Sequence, residues 1–362
     1  MSTAPFTYDA NPGRVVFGIG SLARVGAESA RLGGRRMLVI TDAEAKAIAD
    51  AVVEQLGDRV ALVWDEVKQH VPIELAERAR AAATAAAIDS IVCIGGGSAT
   101  GLAKAIALTH AVPVLAVPTT YAGSEMTPIY GLTGPSGGDS SRKATGKDPI
   151  VQPRIVVYDP ELTVGLPAAV TGPSAFNALA HCVEALYAPG ANPVISLLAL
   201  DGIAAIGRSI TMCVREPANL DARSDVLYGA YLAGAALGAT GTALHHKCCH
   251  VLGGTYHLVH GEVNAVILPH AVAYNTPAVP ELMDKVRTAL GAPAGVSAAA
   301  ALFDLAAGIG APSSLKALSM PYEGLDDAAA RTVADTTVNP RPVDIASVRA
   351  MLDDAYEGRR PA

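Results

Sequence analysis

The first part of the chain alternates short, β-branched apolar runs with longer stretches in which apolar residues recur at helical spacing. The runs at 14–17, 36–41, 60–64, 90–94 and 114–117 predict strands, and one more is expected within 150–159. Between them, helical spacing predicts a helix from a Ser21 cap to Gly33-Gly34, and others over 43–56, 72–87 and from the turn at Gly95 to about Thr109. Strands alternating with helices imply a parallel sheet covered on both faces. Beyond Pro160 the period-two signal disappears, and Ala, Leu and Gly dominate at helical spacing. The expected architecture is an α/β dinucleotide-binding domain over 1–162 and an all-α domain over 163–362. Residues 227–244 carry no charge and run directly into His245. Their Gly and Ala content predicts a buried core helix rather than a membrane span, which would be richer in large aliphatics.

Composition narrows the function. With 27 basic against 34 acidic residues and no Lys/Arg stripe, a nucleic-acid partner is excluded. Only 17% of the 362 residues are charged and 51% are apolar, enough for large cores and a subunit interface. The five cysteines form no C-x-x-C pair, which fits a reducing compartment without a disulfide framework. No basic segment followed by an apolar stretch opens the chain, so a cytoplasmic protein is expected.

Candidate chemistry lies in two places. Gly95-Gly96-Gly97-Ser98 joins a strand to a helix, where glycines admit a pyrophosphate and the helix offers free N–H groups. The turn does not match G-x-G-x-x-G, and a plain strand-to-helix turn is the alternative. Asp42 ends the second strand, placed either to accept bonds from an adenosine ribose or to cap the next helix. A carboxylate on the ribose would repel a 2′-phosphate, favouring NADH over NADPH. Thr119, Thr120 and Ser124 belong to a hydroxyl-rich loop on the same sheet edge.

The second place is a run of histidines. Six of the nine fall between His245 and His270. His246 and His250 are four apart, as are Asn177 and His181, so each pair shares a helix face. Two such pairs facing one site make a metal or acid–base centre. His257 and His270 read as structural.

Together these segments resemble the iron-containing alcohol dehydrogenase family. The matches are the strand–GGGS–helix turn, PTTYAGSE from Pro118, the pair ending at His181, and His246, His250 and His260 running into HGEVNAVILPH. The resemblance covers nearly the whole chain. It implies a dehydroquinate synthase-like architecture, an NADH (or NADPH) cofactor and a homodimer. Within the family, GGGSATGLAK, PTTYAGSEMT and HHKCCHVLGG are most similar to the branch that reduces the small dicarboxylate maleylacetate. The metal-dependent members bind iron or zinc through one Asp and three His. The matching positions here are Asn177, His181, His246 and His260. Asn177 replaces the carboxylate, so the expectation is that no metal is required. HGEVNA, by contrast, is more similar to the metal-dependent members. Reduction of such a substrate needs donors at a developing enolate oxygen and a general acid, and His246 and His250 are the candidates for these roles, in either order. Lys247 follows His246, and Tyr121 is read as a nicotinamide-stacking ring, a carboxylate donor or a structural residue. His245, Lys247, Lys143 and Lys147 are expected to meet the substrate carboxylates, with Arg142 in the same Gly/Ser-rich loop, 134–146; a solvated surface charge is the alternative for each of the four cations. The rival expectations are a metal-dependent alcohol or polyol dehydrogenase, a non-catalytic metal-binding module, and a lyase or synthase on a related fold.

Overall fold

The computed structural model describes residues 13–134 and 143–362, together with Phe6, Tyr8 and Ala10. The chain divides into two compact units, Asn11–Gly165 and a second that holds Leu166–Ala362.

In the first unit six parallel strands form one sheet: β1 (Arg14–Phe17), β2 (Met37–Thr41), β3 (Val60–Trp64), β4 (Ser90–Gly95), β5 (Val114–Pro118) and β8 (Ile155–Tyr158). Their order is β1-β8-β5-β4-β2-β3. The helices α1 (Val25–Arg31), α2 (Lys46–Leu56), α3 (Ile73–Ala85) and α4 (Gly97–His110) connect them. Every residue of β2, β4 and β5 is buried. Burial on both faces is why these strands read as unbroken apolar runs rather than alternating ones. Val39, Val92, Ile94, Leu115, Val117, Ile155 and Val157 pack on one face with Val25 of α1 and Ala49, Val52 and Leu56 of α2. From β2 the chain winds outward to β3, then returns to place β4 on the other side of β2. The order therefore reverses between β2 and β4, and the loops after these two strands flank the crevice where open α/β sheets bind ligands.

Two segments differ from the expectation. The Gly/Ser-rich loop ends in a strand: β6 (Ile129–Thr133) pairs antiparallel with β7 (Lys143–Lys147). Tyr130 stands opposite Gly146 across this ladder and covers it, a pairing that compensates a glycine in a strand. The last strand is also shorter than 150–159. Asp148 accepts from the Ile150 N–H at 2.9 Å and Pro149 follows it, so a 3₁₀ turn occupies Pro149–Val151 before β8.

The second unit is helical: α5 (Ala168–Ala185), α6 (Pro193–Arg215), α7 (Leu220–Thr240), α8 (Leu244–Tyr256), α9 (His260–Asn275), α10 (Pro280–Ala289), α11 (Ala298–Gly308), α12 (Leu325–Asp335) and α13 (Ile345–Glu357). Among the described residues, Pro193–Arg215 is the one helix long and apolar enough to cross a membrane by length and composition, and it packs on α5 and α7. The uncharged stretch 227–244 is not one helix. Gly241, at φ +82°, ends α7 with its N–H on the Leu237 carbonyl, and α8 starts afresh at Leu244. That break gives the histidine-bearing helix a direction of its own. Beneath it, Leu244, Cys248, Leu252, Val263, Ile267, Leu325 and Leu352 form the local core.

Candidate active site

At the carboxyl edge of the sheet, Asp42 follows β2 and the glycine turn follows β4. Asp42 Oδ1 accepts from the Ala45 N–H at 2.9 Å, so it caps the approach to α2. Burial pushes its carboxyl up, opposed by the Ala45 and Gly96 N–H groups. Gly95 sits at φ +139°, and a β-carbon there would lie 2.6 Å from Asp42 Oδ2 and 3.0 Å from Ala99 Cβ. Only glycine fits. The Thr119 N–H donates to the Gly95 carbonyl at 3.0 Å, and Thr120 and Ala122 lie against Gly96 and Gly97. Gly96, Gly97 and Ser98 are half-exposed, and no side chain caps the start of α4. The edge thus offers free N–H groups beside a carboxylate, an arrangement suited to a pyrophosphate and a ribose. Removing only the charge, in Asp42→Asn, keeps an oxygen for the Ala45 bond. We expect it to raise the NADPH-to-NADH ratio of kcat/KM about tenfold, or ~1.4 kcal/mol. An unchanged ratio in steady-state assays would place Asp42 away from the ribose.

Lys104 is the residue that sequence reasoning missed here. Its Nζ donates to the Ser124 carbonyl at 2.6 Å, Thr127 Oγ1 at 3.0 Å and the Ile129 carbonyl at 2.8 Å, and it meets Ser124 Oγ at 3.2 Å. Burial pushes this lysine down to about 7, opposed by the charge of Glu125. The signal available was one cation inside the otherwise apolar GLAKAIAL stretch. Ser124 is therefore tied to Lys104, and Tyr121 is wholly buried. Lys147 is exposed on β7; Lys143 is described by its backbone alone, and Arg142 lies outside the described residues.

In the helical unit, Asn177 and His181 lie one turn apart on α5, His246 and His250 one turn apart on α8, and His260 opens α9. A β-carbon on Gly261 would come within 2.9 Å of Pro173 Cβ, so glycine is what lets the first turn of α9 press onto α5. The imidazoles form a row: His181 stacks on His246 with centroids 4.5 Å apart, His246 meets His250 at 6.3 Å, and His250 stacks on His260 at 5.8 Å. The row runs from buried His181 and His246 to half-exposed His260 and exposed His250. Burial, then the neighbouring histidines, holds His181 and His246 well below the ordinary imidazole range, so both are neutral. His245, read as a substrate contact, is instead fully enclosed. Its Nε2 lies 3.3 Å from the Asn264 carbonyl and its Nδ1 3.2 Å from His246 Nδ1. Lys247 is half-buried beside the row. His257 caps the end of α8 at φ +57°, and His270 meets Phe303 edge-on, both outside the row. All five cysteines are buried and none is in a disulfide, and burial pushes the Cys248 thiol up to about 12, which leaves it inert.

Models of two parts of a single family match this chain. Iron-containing alcohol dehydrogenase matches residues 12–160, and the C-terminal part of the Fe-containing alcohol dehydrogenase family matches 171–356. The chain belongs to the iron-containing alcohol dehydrogenase family. It is 50% identical over 357 residues to the maleylacetate reductase of Burkholderia cepacia, covering 99% of each chain. The crystal structure of maleylacetate reductase from Agrobacterium tumefaciens superposes with a TM-score of 0.93 at 44% identity, covering 99% of this chain and 100% of that one. An iron-containing alcohol dehydrogenase from Corynebacterium glutamicum does so with 0.93 at 40% identity, covering 100% and 99%.

Membership corrects one expectation. The absence of a metal requirement, argued from Asn177, is overturned, because a family of iron-containing enzymes implies a metal ion. The residues fit one. Asn177 Oδ1, His181 Nδ1 and His246 Nε2 are buried atoms without a hydrogen-bond partner. An orphaned oxygen and two neutral imidazole nitrogens are donors suited to a divalent transition metal. Glu184, His245 and His246 also bring ligand-type atoms within 4.8 Å of one another, but Glu184 and His245 already spend theirs on hydrogen bonds. The Asn177 argument failed because an amide oxygen, though neutral, remains a ligand.

Proposed function

We propose that this chain is a cytoplasmic, homodimeric, NADH-dependent reductase that converts maleylacetate to 3-oxoadipate in the breakdown of aromatic compounds. The observation that carries this reading is identity of 50% across essentially the whole length to a maleylacetate reductase. Five buried cysteines outside any disulfide support a reducing compartment. Exposed Val194, Leu197 and Met212 fall on one side of α6 and support a surface for a second copy.

Maleylacetate carries a double bond conjugated to a ketone between two carboxylates. Its reduction adds a hydride from the reduced nicotinamide to the alkene carbon β to the ketone. Charge moves to the ketone oxygen as an enolate, and a proton must then reach the α carbon. The glycine turn, Asp42 and the Thr119–Thr120 loop bind and orient the dinucleotide. Asn177, His181, His246 and His260 would hold the metal, which supplies Lewis-acid polarisation of a substrate oxygen. His250, the exposed member of the row, is placed to deliver the proton, and Lys247 to pair with a carboxylate.

Mixing NADH, maleylacetate and the protein tests this directly. Rapid loss of nicotinamide absorbance, with slow turnover of simple alcohols and NAD, is the expected result. Turnover of alcohols alone would return the chain to the dehydrogenase branch. Restoring the carboxylate, in Asn177→Asp, should tighten divalent-metal binding about tenfold or more through the added charge. Competition with a chromogenic chelator reads this, and an unchanged affinity would remove Asn177 from the donor set.

A further inference from the structure

Glu184 is one of the most deeply buried carboxyl groups in the chain, and the mechanism above does not use it. It lies on α5, three residues after His181, and meets the start of α8. Its Oε1 accepts from the His245 backbone N–H at 2.8 Å, and its Oε2 lies 2.7 Å from His246 Nδ1. The first turn of a helix presents N–H groups and the positive end of its dipole, so Glu184 completes α8 as a carboxylate.

The tautomer of His246 follows. A carboxylate oxygen only accepts, so Nδ1 must carry the proton. His245 leads to the same assignment. Its Nε2 faces the Asn264 carbonyl and must donate, which leaves its Nδ1 as a second acceptor beside His246 Nδ1. With the proton on Nδ1, His246 Nε2 is a bare lone pair, and it is this atom that is buried without a partner.

We infer that Glu184 is a positioning residue that fixes the proton of His246 on Nδ1 and thereby presents Nε2 as a metal donor. This rests on the reading of His246 as a ligand, and the experiment separates the two. In Glu184→Gln the amide oxygen is drawn to the α8 N–H groups, so its NH₂ faces His246 Nδ1 and drives the proton to Nε2. Long-range ¹H–¹⁵N correlation on ¹⁵N-histidine-labelled, metal-free protein should find His246 protonated on Nδ1 in the parent and on Nε2 in the variant. Zn²⁺ affinity by chelator competition should fall ~10–100-fold in the variant, as when the group orienting a histidine ligand is removed. NADH affinity should be unchanged. A parent already protonated on Nε2, or a variant with tautomer and affinity both unaltered, overturns the inference. A switched tautomer with unaltered Zn²⁺ affinity keeps the positioning of the proton but rejects His246 as the ligand. Should Glu184→Gln fail to fold, the parent spectrum alone still decides the tautomer.

Discussion

A His250→Ala enzyme should reduce maleylacetate ~10²–10⁴-fold more slowly in kcat, the usual cost of removing a positioned general acid. Of the row, His250 is the exposed member, so it can exchange protons with solvent and meet a substrate. His181 and His246 are buried and held neutral, which makes them poor acids at neutral pH. NADH affinity should stay within about twofold, because the substitution alters none of the groups assigned to the dinucleotide, namely Asp42, the glycine turn and the Thr119–Thr120 loop. Stopped-flow measurement under single-turnover conditions checks this. A variant that keeps its rate would hand the proton to Lys247 or to water.

The second large effect is expected from Gly95→Ala. At φ +139° any side chain is strained, at a cost of ~1–3 kcal/mol, and its methyl would meet Asp42 Oδ2 at 2.6 Å and Ala99 at 3.0 Å. Relief requires Asp42 to move away from the glycine turn. NADH should then bind at least ~10-fold more weakly, since each 1.4 kcal/mol is tenfold in affinity. Fluorescence titration of NADH measures it, with thermal denaturation reporting the strain. Parent-like binding would mean that neither Gly95 nor Asp42 shapes the cofactor site.

The sheet strands were legible because parallel, doubly covered strands must be apolar throughout, and β2, β4 and β5 are. The β6–β7 ribbon was not, because glycine and serine mask a strand whose support comes from Tyr130 across the ladder. Nor was the end of α7 at Gly241, where a glycine among many small residues carries no signal until its φ is known. At the site, the spacing of four between His246 and His250 survived folding because helix geometry enforces it. Glu184 and Lys104 were illegible for the opposite reason. Their partners lie 61 and about 20 positions away, on elements that only tertiary packing brings near.

The buried cysteines have a use unrelated to catalysis. Cys93 lies in the first unit, while Cys182, Cys213, Cys248 and Cys249 lie in the second. Each is shielded from reagents until the chain around it opens, so each thiol is a clock for its own neighbourhood. Timed alkylation read by peptide mass would report which unit opens first without any added probe.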